Sequence, residues 1–269
     1  MKTLSKVYTA LIFLILYAPI AVMVLFSFNK INSTGVFAGF SLRWYNELLN
    51  DSATLEALKN TLVLAVSSSI IATIIGTVAA VGISKLKSKY AQSTINTVTN
   101  IPMMNPDIVT GISMMLLFVF VTAKLGMSQT LSFWTVLIAH ITFNLPYVIL
   151  SVTPKIRQMD KHLTEAAMDL GCTPFQAFRK VEFPAILPGI ISGFIMAFTL
   201  SLDDFVISYF TTGNGFETLP IRIYSMTKKR VTPDMYALST LIFIAVLVLL
   251  ILSNIAEGDG AKKKERAKK

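Results

Sequence analysis

Two adjacent acids, Asp203 and Asp204, stand inside the otherwise apolar stretch Thr199-Leu200-Ser201-Leu202-Asp203-Asp204-Phe205-Val206-Ile207-Ser208. An acid at membrane depth costs about 2.5–3.5 kcal/mol on insertion scales, so such residues face a bundle interior or a watery cavity. Neighbouring carboxylates also repel one another unless protons or cations neutralise them. The chemistry they suit is attraction of a cation. Adjacent helical positions are about 100° apart, which points only one of the pair straight into a path. The competing reading is a hydrated pair at the outer interface. A third acid follows in Asn105-Pro106-Asp107, where Asn reads as N-cap, Pro as the first helical residue and Asp as the first-turn anion. Asp107 then either caps a buried helix or lines a pathway with Asp203 and Asp204.

Other reactive residue types point away from catalysis. His140 shares its apolar run with Asn144 and Pro146, and no ionisable residue lies three or four positions away. Hydrogen bonding between helices is therefore favoured over a proton relay. The chain has no Gly-x4-Gly-Lys-Ser/Thr phosphate loop, no His/Ser/Asp set and no His-x-x-x-His spacing. No catalytic residue, metal ligand set or cofactor site is expected, and the chain does not read as an enzyme.

A second pattern is charged and compact. Glu165-Ala166-Ala167-Met168-Asp169-Leu170-Gly171 is followed by Val181-Glu182-Phe183-Pro184, within a segment running from Pro154 to Pro184. Leu163, Ala166, Ala167 and Leu170 recur at i, i+3, i+4 and i+7, one face of a helix. Gly171 stands where a left-handed residue ends such a helix. Thr173-Pro174-Phe175-Gln176 then predicts a second helix, with Thr as N-cap, Pro at the first position and Gln closing a capping box. The paired alanines leave a shallow surface on which another protein can lie close, with Lys161, Glu165, Arg179 and Lys180 at its rim. The candidate contact residues are Glu165, Ala166, Ala167, Leu170, Gly171 and Phe175. The competing reading is a solvated loop folded on its own chain.

The elements that must hold these residues are membrane helices. Hydrophobic residues make up 54% of the chain and charged ones 14%, where a soluble domain carries about a quarter. Val7–Phe28, Asn60–Ser84, Ser128–Thr153 and Met235–Ala256 contain no charge, and each is long enough for a crossing of ~20 helical residues. Tyr90–Ala123 and Phe183–Gly215 are interrupted only by acids. The expectation is an all-α integral membrane protein of six spans. Residues 1–256 would form one domain, with the module at 154–184 as a loop and a basic disordered tail at 257–269. Tyr90–Ala123 is too long for one straight crossing, and Pro102 and Pro106 mark the expected break. Val7–Phe28 follows Lys2 and Lys6 like a signal peptide, but its length and the missing small-x-small site predict a retained span.

In the loop before the second span, Ser41 is the expected N-cap of a helix presenting Trp44, Leu48 and Leu49 on one face. An interfacial anchor is favoured there over direct substrate contact. Small residues in the second span (Ser67, Ser68, Ser69, Gly76, Gly82) predict close helix packing. Basic residues set the orientation: 16 of the 24 Lys and Arg fall on the side of both termini when the N-terminus is inside. Residues 216–234 would lie outside despite their basic content. The net charge of +9 sits in loops and tail, which suits an anionic bilayer surface and gives no reason to invoke nucleic acid. The single Cys172 excludes an intrachain disulfide framework.

The Glu-Ala-Ala, Gly and closing Pro184 spacing resembles the EAA loop of ABC-importer permeases, with Val181 and Phe183 as apolar replacements in its last segment. Leu42-Arg43-Trp44-Tyr45, Pro102 through Asp107 and Ser201-Leu202-Asp203-Asp204 are similar to the spermidine/putrescine permeases of that group. The basic 222–230 region and the Lys-rich tail depart from the pattern. The resemblance implies a six-helix type I importer subunit in a bacterial cytoplasmic (inner) membrane, paired with a second, similar permease. It also implies two cytoplasmic ATPases bound through the EAA loops and an extracytoplasmic polyamine-binding protein. An importer for another substrate is the first alternative. A secondary transporter is the second, although no inverted repeat or coupling-ion site stands out.

Overall fold

The computed structural model of the protein describes residues 2–33, 35–126, 130–160, 162–213, 215–228 and 232–248. Regular structure among them is helical, apart from a single bridge between Asn29 and Phe40. In chain order the helices are α1 (Lys2–Ser27), α2 (Arg43–Asn50), α3 (Ser52–Ser84), α4 (Lys89–Met104), α5 (Asp107–Lys124) and α6 (Phe133–Gln158). They continue as α7 (His162–Asp169), α8 (Pro174–Ala177), a π-turn (Phe178–Glu182), α9 (Phe183–Asp203), α10 (Val206–Thr211) and α11 (Leu219–Thr227). The apolar helix α12 (Pro233–Val248) follows.

Among the described residues, five helical runs are long and apolar enough to cross a membrane: Lys6–Ser27, Ser52–Ser84, Asp107–Lys124, Phe133–Gln158 and Pro174–Asp203. The sixth expected span, 235–256, begins in α12, which is shorter, and its last residues lie outside those described. The expected tail at 257–269 lies outside them as well.

The described residues divide into two compact units, 2–59 with 219–248, and 60–218. In the first unit, Trp44, Leu48, Ala57, Leu219, Ala237 and Leu238 form the core. The indole Nε1 of Trp44 donates to the Asn29 carbonyl at 2.6 Å. The Asn29 side chain in turn gathers the loop: its amide donates to the Ser33 and Val36 carbonyls, and its oxygen accepts from the Ala38 N–H. Trp44 is thus a core residue of this unit and not an exposed anchor, while Leu49 of the same helix is exposed. The helix starts one residue later than expected, and the Ser41 hydroxyl accepts from the Arg43 N–H. Between α2 and α3, the Thr54 hydroxyl and the Arg222 guanidinium both reach the Asp51 carboxylate. The Thr54 hydrogen bond is the main influence holding the Asp51 carboxyl below its usual range, against an opposing effect of burial.

The second unit is built around α6 and α9. Without a hydrophobic driving force between helices in lipid, close approach of backbones does the packing. On α9 the buried residues Gly189, Gly193, Ala197 and Ser201 recur every fourth position, a stripe of small side chains. A Cβ on Gly193 would meet the Val148 Cα at 3.3 Å, and one on Gly189 would meet the Ser151 carbonyl at 2.9 Å. On α3, a Cβ on Gly76 would lie 2.7 Å from the Val148 Cγ1. Gly76 therefore packs as its sequence context predicts, whereas Gly82 faces open space.

Both interrupted spans differ in detail from expectation. In the third, Pro102 is tolerated within the last turn of α4, and the break falls at Asn105-Pro106. Asn105 takes extended backbone, as a residue before proline does, and ends α4; Pro106 is extended as well, so Asn105 lies one position too early to cap α5. Pro106 occupies the N-cap position and Asp107 is the first helical residue. The fifth span is not one run: α9 stops at Asp203 and α10 begins at Val206.

Replacing Gly189 with Ala forces α6 and α9 apart at a backbone contact and should lower stability by roughly 1–3 kcal/mol. Thermal unfolding in detergent checks this, with Gly82→Ala as the unstrained comparison. Equal unfolding temperatures for the two variants would contradict the seam.

Candidate functional site

The charged module forms as two capped helical pieces. Helix α7 ends at Asp169, Leu170 follows in the turn, and Gly171 takes φ +88°. The Gly171 N–H donates to the Met168 carbonyl at 2.9 Å and the Cys172 N–H to the Ala167 carbonyl at 3.1 Å. This crossed pair of bonds is a Schellman end, which requires a left-handed residue at the glycine position. Thr173 then caps α8: its hydroxyl accepts from the Gln176 N–H, and its own N–H donates to the Gln176 side chain. The second piece is not a free-standing helix as expected, because it runs on without a gap into the membrane span. A π-turn at Phe178–Glu182 separates α8 from α9 just before Pro184. A proline lacks the N–H for a regular bond and crowds the carbonyl four residues back, and the widened turn accommodates it.

The face presented by this module is apolar. Leu163, Leu170 and Phe175 are exposed, Leu170 to 87% and Phe175 to 72%. Glu165 and Ala166 are also exposed, and Ala167 is half-buried. Glu165 shares a hydrogen bond with His162 at 3.2 Å along the same helix. Arg179 and Lys180 are exposed beside it, while Lys161 lies outside the described residues. Glu182 behaves differently: it is buried and pairs with Lys85 at 3.2 Å. Nearly a hundred positions separate the members of that pair, so no spacing along the chain reveals it.

The acids at 107, 203 and 204 fall into distinct environments. Asp204 stands at the gap between α9 and α10, with its side chain only 10% exposed. Its carboxylate accepts from the Ile207 N–H at 3.2 Å and the Ser208 N–H at 2.7 Å, capping α10. The same carboxylate lies 3.4 Å from Nε2 of the fully buried His140. His140 also shares hydrogen bonds with Ser208 at Nε2 and with Ser201 at Nδ1. Ser201 continues the chain to Ser68 on α3 at 2.8 Å. His140 thus bonds between helices, as expected, but it also has an acidic partner that its own helix does not reveal. The signal was present in Asp204 itself, an N-cap residue type three positions ahead of the amide it binds.

Asp203 takes no part in that network and is exposed, as is Asp107. The two interrupted segments lie against each other. A Cβ on Gly111, one turn beyond Asp107, would meet the Phe210 ring at 3.0 Å and the Val206 carbonyl at 3.5 Å. The structure therefore brings the start of α5 to the start of α10, next to the Asp203–Asp204 break. The module at 162–182 is remote in sequence from both acids but continuous with α9.

The all-helical architecture is that of type I ABC-importer permeases. The fold matches a chain of a bacterial ABC transporter involved in the import of the acidic polysaccharide alginate, with TM-score 0.73 and 15% identity over 96% of this chain and 95% of that one. The chain belongs to the family of binding-protein-dependent transport system inner membrane components, whose model matches residues 72–257. It is similar to the putrescine transport system permease protein PotI of Escherichia coli, 40% identical over 87% of this chain and 83% of the relative. Similarity to the spermidine/putrescine transport system permease protein PotC of the same organism is 37% over 93% and 92%. The protein is thus a membrane component of a transport system, not its catalytic subunit.

Gly171→Val should destabilise the end of α7 by roughly 1–2 kcal/mol, because a left-handed backbone crowds a Cβ. Amide hydrogen exchange at residues 170–172 in the purified protein should quicken. Unchanged exchange would show that the turn does not need the left-handed conformation.

Proposed function

We propose that the chain is the permease subunit of an ATP-driven importer of polyamines such as putrescine and spermidine, with Asp203 on the pathway. The observation that carries the substrate reading is the break between α9 and α10. It holds Asp204 against His140 and leaves the neighbouring carboxylate of Asp203 exposed. Irregular backbone at membrane depth is tolerated where it is buried in protein or lines a cavity. A protonated amine entering such a path loses hydration, which a carboxylate replaces in part through charge-assisted hydrogen bonds. Asp107 lies near enough along α5 to extend the same negative lining. The names of PotI and PotC support the same substrate class. The fold by itself does not, because a chain of similar architecture serves an acidic polysaccharide.

In this reading the exposed face of Leu163, Leu170 and Phe175, with Glu165, Ala166, Ala167 and Gly171, docks one of two cytoplasmic ATPases. A second, homologous permease completes the path, and an extracytoplasmic protein delivers the amine. Both termini lie in the cytoplasm, following the distribution of basic residues.

Asp203→Asn removes charge without volume. It should reduce uptake of labelled putrescine or spermidine about tenfold or more, the scale of one charged hydrogen bond, with thermal stability unchanged. Asp204→Asn should instead lower stability and uptake together, because it weakens the cap and the His140 pair. Full uptake by an Asp203→Asn, Asp107→Asn double variant would remove the acids from the pathway.

Orientation is tested separately by placing a cysteine at Lys228 in a Cys172→Ser background. An impermeant thiol reagent should label it from the outside of intact cells. Labelling solely from the cytoplasmic side would overturn the topology.

A further inference from the structure

We infer that Lys85 and Glu182 form the tie through which the module at 162–182 moves the start of α4, and that both are positioning residues for transport. The inference rests on reading that module as the ATPase contact. Glu182 occupies the variable place in Val181-Glu182-Phe183-Pro184, so the spacing of that motif does not ask for a carboxylate there. Yet it is the one acid of the segment that is buried, at 8% exposure. A carboxylate in that position needs a partner, since burying a charge unpaired is far more costly than burying it paired. The partner is Lys85, beyond the inner end of α3, at 3.2 Å. The same ammonium lies 5.8 Å from the centre of the Phe178 ring, so it grips the first and last residues of the π-turn together.

The other side of this short connection is fastened to α4. Gln92, in the first turn of α4, donates its side-chain amide to the Leu86 carbonyl at 2.8 Å and to the Ser84 carbonyl at 3.4 Å. Ser88 caps the same helix by accepting the Ala91 N–H. A path of contacts therefore runs from the π-turn through Lys85 and Leu86 to Gln92. Between these segments and α7 lies a cavity of about 470 Å³, whose wall includes Lys85, Gln92, Glu165 and Glu182. At the edge of that space the ion pair links the π-turn to Lys85, beside an apolar cluster that includes Ala80, Ile83 and Ile186. Lys85 remains 58% exposed, so the pair is open to water on one side and able to break and re-form as the module shifts. Helix α4 leads into the Asn105-Pro106 break and Asp107, which gives a pull on its first turn a route towards the acids.

The test uses the complete importer, with both permeases, the ATPases and the binding protein, reconstituted in liposomes. Putrescine and spermidine uptake, ATP hydrolysis and ATPase co-purification are measured together. Lys85→Met and Glu182→Gln are each expected to lower uptake per ATP hydrolysed at least fivefold while the ATPase still co-purifies. The reversed pair Lys85→Glu, Glu182→Lys should recover at least half of the lost coupling. A defect of folding alone would lower uptake and hydrolysis in proportion and leave that ratio unmoved. Uptake per ATP within twofold of the parent in both single variants, or a reversed pair no better than either, overturns the tie alone. ATPase co-purification unaffected by Phe175→Ser and Leu170→Ser overturns the reading of the module, and the tie with it.

Discussion

Interrupting a helix at membrane depth frees main-chain amides that hydrocarbon cannot satisfy, each at a cost of several kcal/mol. In this protein the Asp204 carboxylate takes up that obligation for α10, binding the N–H groups of Ile207 and Ser208. The carboxylate is then itself a buried charge, and the ring of His140 stands against it. Both ring nitrogens of His140 are occupied, one reaching Ser208 and the other Ser201, which passes the connection to Ser68. One polar knot thus ties α3, α6, α9 and α10 within the second unit. The break is held because two of the amides it frees, and the carboxylate that binds them, find partners.

That knot also separates two residues that look equivalent on paper. Asp204 is consumed in holding the gap, whereas Asp203, the last residue of α9, is left exposed. The small-residue stripe of Gly189, Gly193, Ala197 and Ser201 lets α9 approach α6 closely enough for the histidine to reach across. Substituting bulk anywhere along that stripe acts on the knot as well as on the seam. The helical run from Pro174 to Asp203 is continuous through its π-turn, so α8, the second piece of the module, and the exposed acid are two ends of one helical run. A displacement at one end need not pass through a flexible linker to reach the other.

Function in this architecture lies in a few side chains and not in the scaffold. A similar fold belongs to a transporter of an acidic polysaccharide, for which a lining of carboxylates would be repulsive. On the proposed function it is the acids at 107 and 203, and not the helices, that suit a cationic cargo. Nearby, the start of α5 and the start of α10 are pressed together at Gly111, where any larger residue would meet the Phe210 ring. Two helix breaks meeting at one place is a property of the folded chain, since nearly a hundred residues separate them.

The sequence by itself determined the all-helical membrane class, the Schellman end at Gly171 and the capping box at Thr173, because these are local matters of hydropathy, backbone φ and neighbouring side chains. Close packing at Gly76 was legible for the same reason. Capping was harder to read where two rules competed. Asn105 has the right type for an N-cap, but Pro106 after it stays extended, so α5 begins one residue later, at Asp107. Trp44 looked like an interfacial anchor because its helix is amphipathic, yet α11 and α12 supply the cover that buries it. Only the tertiary structure decided which of two adjacent acids is free, that His140 has an acidic partner, and that Glu182 meets Lys85. Each of those outcomes depends on a contact between residues far apart in the chain, and side-chain spacing along one helix carries no information about what a different helix brings to its face.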